Sequence, residues 1–346
     1  MENLLVNKGA AVKEVQQAAE YQKKKQACIL TGLAGSSKPV FFAAADKLLG
    51  GKGSMAFITA SREEIRTYRR ELNYLYPDLP MQELYPVSLP RVQADTQSLE
   101  LQAGRAAALR FLSGEERGIV FITAEALQQK QLRPSGMSGK ALQLAVGEEH
   151  EQRNIAAALL DLGYERTEQV DALGQFCLRG DILDVYPINS SAAVRIEWFD
   201  NELDAMRSFD VDTQRSLQTL SSIKIAPLKV DESFSYDADI FEYCAADTMV
   251  VVDEPVHVFG MLEKLDKENK EHASELFNKQ ELIEQLAANG AMLVSALGHS
   301  YLQQLPSLNI PVRAVAPYNK NTNLLVEDLQ NWLAEGITPL IMLSGS

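Results

Sequence analysis

The sequence predicts an α/β protein in which a β-rich segment separates two α/β segments. In both outer segments, short apolar stretches alternate with helical stretches, and this alternation predicts a parallel sheet covered by helices on both faces. Residues 165–226 instead alternate polar and apolar side chains with a period of two, which is typical of antiparallel strands. The strand-and-helix pattern returns near Pro227, so the β-rich segment is predicted to be an insert.

The first α/β segment contains three predicted strands, each followed or preceded by a helix. Ser61 and Glu64 have the spacing of a capping box, in which each side chain bonds the other residue's backbone, and they predict the start of one helix. The predicted elements are a helix at 1–26, a strand at 27–31, an apolar helix at 40–49, a strand at 55–59, a helix at 61–75, a loop at 84–90, a helix at 96–112 and a strand at 118–123.

The later segments follow the same reasoning. Asp200, Asn201 and Glu202 form a turn signal between two alternating runs of the β-rich segment. The predicted elements are a helix at 153–162, alternating strands at 181–187 and 193–199, and, in the second α/β segment, strands at 249–254, 292–296, 312–315 and 340–343.

Composition excludes several classes of protein. The 346 residues include 33 Lys and Arg against 47 Asp and Glu, a net charge of −14, which disfavours a general nucleic-acid coat because such proteins neutralise phosphates. The three cysteines are far apart and odd in number, which argues against a disulfide framework or a structural zinc and fits a reducing cytoplasm. No apolar run approaches the length of a membrane span, so a cytoplasmic protein without a membrane partner is expected.

The turn after the first predicted strand has the frame of a phosphate-binding loop. Gly32 and Gly35 precede Lys38 in the order of the motif G-x-x-x-x-G-K-[ST], but two motif positions differ. Ser37 stands where a glycine would free the backbone to wrap phosphates, and Pro39 stands where a hydroxyl would bind Mg²⁺. We therefore interpret the loop as vestigial; weak nucleotide binding and a chance resemblance of an unrelated Gly/Ser turn are the alternatives.

Asp253 and Glu254 end the predicted strand at 249–254, where acids of a working ATPase would hold Mg²⁺ and orient water. Without the loop hydroxyl they have no metal to share, so two exposed acids at a strand end are the favoured interpretation. No catalytic residue, bound cofactor or metal site is therefore predicted.

The stretch from Gly174 to Pro187, GQFCLRGDILDVYP, is the most specific pattern in the chain. Related blocks lie at 194–204 and 209–215, and Tyr164-Glu165-Arg166 lies upstream. Together they resemble the second domain of the excision-repair protein UvrB and, more closely, the corresponding domain of the bacterial transcription-repair coupling factors, the Mfd family. The resemblance extends over essentially the whole chain and is strongest at 164–215.

This resemblance implies a UvrB-like module of three domains. A RecA/helicase-like domain with a degenerate phosphate loop is expected at 25–130, the β-rich α+β insert domain, which binds UvrA, at 131–229, and a further α/β domain from 1–24 plus 230–346. Members of the family continue into an RNA-polymerase-binding domain and an ATP-dependent DNA translocase, so the chain is expected to be an N-terminal fragment without ATPase activity of its own.

The resemblance also implies that the second domain binds UvrA, the damage-recognition subunit of the excinuclease. The matched motifs assign UvrA contacts to Arg179, Arg195 and Phe199, with Arg166 and Glu197 as secondary members. Residue positions support the assignment, because 195, 197 and 199 share one face of a strand while 194, 196 and 198 supply apolar side chains to the other. Arginine and aromatic residues dominate interface energetics; a solvated face of little energetic value is the alternative.

Two other functions compete with UvrA recruitment. A nucleotide-binding, helicase-like ATPase fragment is disfavoured by Ser37 and Pro39, and a UvrB-like protein that binds damaged DNA is disfavoured by the net charge. UvrB also carries a tyrosine-rich hairpin, whereas residues 83–91 here run directly into a helix. In the full-length family protein, RNA polymerase, double-stranded DNA and an intramolecular C-terminal domain that masks the UvrA-binding surface are the further implied partners.

Overall fold

The computed structural model describes residues 2–89, 99–134, 141–228, 236–296, 304–310, 312, 318–319 and 321–339. Residues 1–311 form one compact unit and residues 312–346 form a second. None of the helices in this described part of the chain combines the length and the apolar composition that crossing a membrane requires.

The larger element of the first unit is a sheet of seven strands, all parallel to their neighbours. Along the sheet the strands are β17 (Ser307–Asn309), β1 (Cys28–Thr31), β16 (Met292–Ser295), β15 (Met249–Asp253), β2 (Met55–Thr59), β4 (Ile119–Thr123) and β3 (Met81–Leu84). The helices of this unit outside the β-rich insert are α1 (Glu2–Ala10), α2 (Lys13–Lys23), α3 (Ser37–Leu48), α4 (Arg62–Leu75), α5 (Leu99–Leu112), α6 (Ala124–Gln128), α8 (Pro255–Glu268) and α9 (Lys279–Ala288).

Each face of this sheet is covered by its own set of helices. Apolar residues of α2, α3 and α4 pack with Phe57 and Phe121 on one face. Residues of α5, α6, α8 and α9 pack with Ile58 and Ile122, the next residues along the same strands, on the other face. Because both faces are buried, the central strands are continuously apolar, and the predicted α/β class with a doubly covered parallel sheet is confirmed.

The insert forms a second sheet of six strands, which is antiparallel except for its first pair. In chain order the strands are β7 (Glu165–Arg166), β8 (Gln175–Arg179), β9 (Ile182–Val185), β10 (Ala193–Phe199), β11 (Glu202–Phe209) and β12 (Ser216–Leu220). Helix α7 (Gln152–Asp161) packs Ile155 and Leu159 against one face of this sheet. Two further antiparallel pairs join strands that precede this sheet in the chain to strands that follow it. They are β6 (Leu142–Ala145) with β13 (Ser222–Ile225) and β5 (Gln131–Leu132) with β14 (Tyr236–Ala238).

The described residues differ from the sequence expectations in some elements and leave two predicted strands untested. The single helix predicted at 1–26 is two helices, because Val12 adopts an extended backbone between them. Strands β3 and β17 were not predicted; both are short and partly polar. The predicted strands at 312–315 and 340–343 lie, apart from Val312, outside the described residues.

The parallel sheet combines strands from two of the three expected domain segments, 25–130 and 230–346. Strands β15 and β16, which lie within residues 230–346, pair with β2 and β1 in the same sheet. Segments that are far apart in the chain thus share one core, since each of these strands needs apolar neighbours on both sides. In the second unit, α10 (Thr322–Ala334) has no buried residue.

Candidate partner-binding face and phosphate-loop region

The loop between β1 and α3 is closed by its own side chains. Gly32 has a φ of +84°, and a Cβ atom there would lie 2.6 Å from the backbone oxygen of Ile310. Ser37 Oγ donates a hydrogen bond to the backbone oxygen of Ala34 at 2.7 Å and accepts one from the Ala34 N–H at 3.0 Å. Glycine is therefore required at the start of the loop, and the Ser37 hydroxyl is engaged within it.

Lys38 lies at the centre of a buried group of charges. Its Nζ atom is 2.6 Å from Asp253 Oδ1 and 2.8 Å from Glu254 Oε1. Glu254 has a φ of +43°, and its Oε1 atom also accepts a hydrogen bond from the Ala296 N–H at 3.0 Å. The structure thus brings the lysine of the loop together with both predicted acids. Asp253 is buried, contrary to the expectation of two exposed acids.

The electrostatics of this group favour the ionised lysine. Burial opposes the charge of Lys38, but attraction and hydrogen bonds from Asp253 and Glu254 outweigh it, so the pKa of Lys38 is raised. Burial, together with the charge of Asp253 and a hydrogen bond to it, raises the pKa of Tyr68. The positive charge of Lys38 is therefore balanced by carboxylates of the same chain.

The strands of the insert separate two kinds of side chain, as the alternation predicts. On β10, Ile196 and Trp198 are buried on the face that α7 covers. Arg195 and Glu197 lie partly exposed on the opposite face, and Phe199, the last residue of the strand, is 78% exposed. The predicted division of β10 into an apolar face and a charged face is confirmed.

A buried carboxylate lies among the arginines of this outer face. Asp184, on β9, is directly opposite Arg195 in the β9–β10 register. Arg195 donates from Nε to Asp184 Oδ1 at 2.7 Å and from Nη2 to Asp184 Oδ2 at 2.9 Å, and Arg179 Nη2 lies 3.0 Å from the same Oδ2. Arg195 Nη2 also donates to Gln214 Oε1 at 3.2 Å, and the Arg195 guanidinium lies 4.7 Å from the centre of the Phe209 ring. The hydrogen bonds that Arg195 donates to Asp184 contribute most to raising the pKa of Arg195.

The other predicted residues lie at different distances from this pair of arginines. Glu197 forms an ion pair with Arg207 on the neighbouring strand. Arg166 is exposed on β7, which the strand order places three strands from β10. The structure therefore brings Arg179 and Arg195 together through Asp184 and separates Arg166 from them.

Sequence reasoning missed four residues of this face: Asp184, Arg207, Phe209 and Gln214. Asp184 carried a usable signal, because it interrupts the apolar run Leu183-Asp184-Val185 at the position that faces outward. Gln214 carried none, since its approach to Arg195 depends on a turn with a φ of +58°. The described residues contain no group of three His, Cys, Asp or Glu side chains that could hold a metal ion.

Comparison with known proteins identifies the insert. Residues 142–230 match the family model of the UvrB interaction domain. The insert is therefore similar to the UvrB interaction domain.

Relatives extend the match beyond the insert. A transcription-repair-coupling factor of Bacillus subtilis (strain 168) is 36% identical over 203 residues, covering 58% of this chain and 17% of the relative. Proteins of the same name are 32% identical over 202 residues in Staphylococcus haemolyticus (58% of this chain, 17% of the relative) and 28% identical over 165 residues in Escherichia coli K12 (48% and 14%). The matched part of the chain thus spans about a sixth of the length of these relatives. Its predicted resemblance to the UvrB-like module of the transcription-repair coupling factors is confirmed.

Proposed function

We propose that this chain is a UvrA-recruiting module of a transcription-repair coupling factor, acting in transcription-coupled nucleotide excision repair in the cytoplasm. The observation that carries the proposal is the outer face of β8–β10, where Arg179, Arg195 and Phe199 are presented within the segment that matches the UvrB interaction domain. Glu197, beside Arg195 on β10, and Arg166, on the edge strand β7, are proposed as secondary contacts.

The physical properties of the face suit a protein partner. Phe199 exposes most of its ring at the end of a strand, and burying an exposed aromatic ring is a large source of binding energy. Arg179 is half exposed and bonds Asp184 through one nitrogen, so most of its donors face outward toward carboxylates of a partner.

The loop between β1 and α3 supports the absence of ATPase activity in this chain. Nucleotide binding would need Lys38 to exchange two carboxylates at 2.6 and 2.8 Å for phosphate oxygens, and Pro39 offers no hydroxyl for Mg²⁺. We infer that the loop is a degenerate phosphate-binding loop, in which Lys38 pairs with acids of its own chain and not with phosphate. The domain that contains it is inferred to be of RecA-like ancestry.

The activities of a full-length protein are part of the same proposal. The relatives are about three and a half times as long as this chain, since 203 matched residues cover 17% of the first of them. We assign ATP-driven DNA translocation, RNA polymerase binding and masking of the UvrA-binding face by a C-terminal domain to the remainder.

Calorimetric titration of the chain with purified UvrA tests recruitment. Arg179→Glu is expected to weaken binding by about 2 kcal/mol or more, as for a hot-spot residue. Arg153→Glu is the matched control, because Arg153 is an exposed arginine on α7, which covers the opposite face of the same sheet. Absence of binding by the folded parent, or equal losses in the two variants, would contradict the proposal.

A second experiment tests the proposed absence of ATPase activity. The chain is expected to hydrolyse no ATP in a coupled phosphate-release assay. Turnover that disappears in Lys38→Ala would overturn the degenerate-loop interpretation.

A further inference from the structure

A buried carboxylate beneath an exposed binding face is an unusual feature, because an ionised carboxylate is costly to bury unless it is paired and hydrogen-bonded. Asp184 is 1% exposed and lies on β9, in the middle of the outer face of the insert. Its flanking residues, Leu183 and Val185, pack into the core on the other face. The side chain of Asp184 therefore lies on the face opposite the one that α7 covers.

Both oxygens of Asp184 are used to hold arginines. Oδ1 accepts from Arg195 Nε, and Oδ2 accepts from one nitrogen of Arg195 and one of Arg179. The two-point contact fixes the plane of the Arg195 guanidinium, which also lies over Phe209. Arg179 lies on β8 and Arg195 on β10. Asp184, on the strand between them, holds both guanidinium groups in fixed positions relative to each other.

We propose that Asp184 is the positioning residue of the UvrA-binding face, which orders the guanidinium groups of Arg179 and Arg195 before the partner arrives. This inference rests on the proposed function. Asp184 itself lies below the surface and touches no partner; it raises affinity because two long side chains that are already ordered lose less conformational freedom on binding.

The test is a comparison of UvrA affinity between the parent, Asp184→Asn and Asp161→Asn. The asparagine in Asp184→Asn keeps the shape of the side chain but loses the charge, and affinity is expected to fall about tenfold, the scale of one or two side chains that must be ordered on binding. Asp161 is an exposed aspartate at the end of α7 on the opposite face, and its variant is expected to bind as the parent does. Binding of folded Asp184→Asn within twofold of the parent would overturn the proposal.

A variant that lacks both arginines distinguishes a positioning role of Asp184 from a purely structural one. In a chain that carries Arg179→Ala and Arg195→Ala, Asp184→Asn is expected to change affinity no further, because no guanidinium remains to be positioned. A tenfold loss that persists in this background would show that Asp184 acts through the fold rather than through the arginines, and would refute the positioning role.

A second measurement needs neither UvrA nor a folded variant. The Nε–H proton of Arg195 in the isotope-labelled parent is expected to exchange with water much more slowly than that of Arg70, an exposed arginine on α4. Equal exchange rates would overturn the proposal whatever UvrA does. If slow exchange is found but the parent does not bind UvrA, the ordering of the arginines stands, whereas the proposed function and the role of Asp184 in it are both refuted.

Discussion

Replacing Lys38 by methionine is expected to destabilise the parallel-sheet unit by about 3 kcal/mol. The substitution keeps the length of the side chain but removes the charge that lies 2.6 Å from Asp253 and 2.8 Å from Glu254. Removing one partner of a buried ion pair costs roughly 3–5 kcal/mol, because the remaining charge stays buried without compensation. The low end applies here, since Asp253 keeps its bond to Tyr68 and Glu254 keeps the Ala296 N–H.

The pH dependence of this contribution follows from the raised pKa of Lys38. A lysine whose pKa is higher in the folded chain than in the unfolded chain contributes its full stabilisation below the unfolded value of 10.5 and loses it as the pH rises through the folded value. As far as the ionisation of Lys38 decides it, the difference in the free energy of unfolding between the parent and Lys38→Met is therefore expected to be constant from neutral pH to about pH 10.

Urea denaturation followed by far-UV circular dichroism, with hydrogen exchange of peptides from α3 and β15, measures this loss. Intrinsic fluorescence does not report on it, because Trp198 lies in the insert and Trp332 in α10. Lys47→Met is the matched control: Lys47 is exposed near the end of the same helix, and its loss is expected to cost less than about 0.5 kcal/mol.

A variant in which all three charges are removed together provides the decisive comparison of stability. Lys38→Met combined with Asp253→Asn and Glu254→Gln is expected to recover most of the stability, since no unpaired charge remains. If Lys38→Met unfolds at the same urea concentration as the parent, Lys38 is not anchored by these acids, and the inference that the loop lysine belongs to the core is refuted.

Three further predictions follow from described contacts. Phe199→Ala is expected to lower UvrA affinity by about tenfold without changing stability, whereas Leu160→Ala, an exposed apolar residue on α7, leaves both unchanged in the same titration. Gly32→Ala is expected to lower the free energy of unfolding by about 2–3 kcal/mol, against about 1 kcal/mol for Gly35→Ala, which shares a positive φ but meets no atom within 4 Å; equal losses would contradict the steric argument. Burial raises the pKa of Cys28 from 9.0 to about 12, so the folded chain keeps a proton that the unfolded chain releases between these values, and stability falls as pH rises through this window; alkylation of the folded chain at pH 9, followed by mass spectrometry, is expected to spare Cys28.

Local signals predicted most individual elements of the fold, but not their arrangement. The capping box at Ser61 and Glu64 is present with both of its bonds, and the apolar runs at 55–59 and 118–123 are strands. The order of the strands depends on pairing between segments more than two hundred residues apart. For the same reason, no local signal shows that strands from 25–130 and 230–346 share one sheet.

The candidate site shows the same division between local and long-range information. Period-two alternation correctly placed Arg195 and Glu197 on the outer face, because this property belongs to a single strand. The contact of both arginines with Asp184 depends on the register between strands. The contact of Lys38 with Asp253 joins the first turn of α3 to the last residue of β15, 215 residues later in the chain. The register that joins the arginines to Asp184 has no sequence signature, whereas the motif that relates Lys38 to Asp253 and Glu254 predicts shared Mg²⁺ binding and not a direct ion pair.

The position of β1 in the sheet has a consequence for synthesis of the chain on the ribosome. The two neighbours of β1 in the sheet are β16 and β17. These strands are synthesised last among those of the sheet, and they emerge about 260 residues after β1. At roughly 5–20 residues per second, β1 waits on the order of ten to fifty seconds before a partner strand exists. During that interval the insert, whose strands are neighbours in the chain, has all the contacts it needs. The insert is therefore expected to acquire its structure on the nascent chain while the apolar residues of β1 are still without their sheet, which makes this short strand a natural segment for chaperone binding.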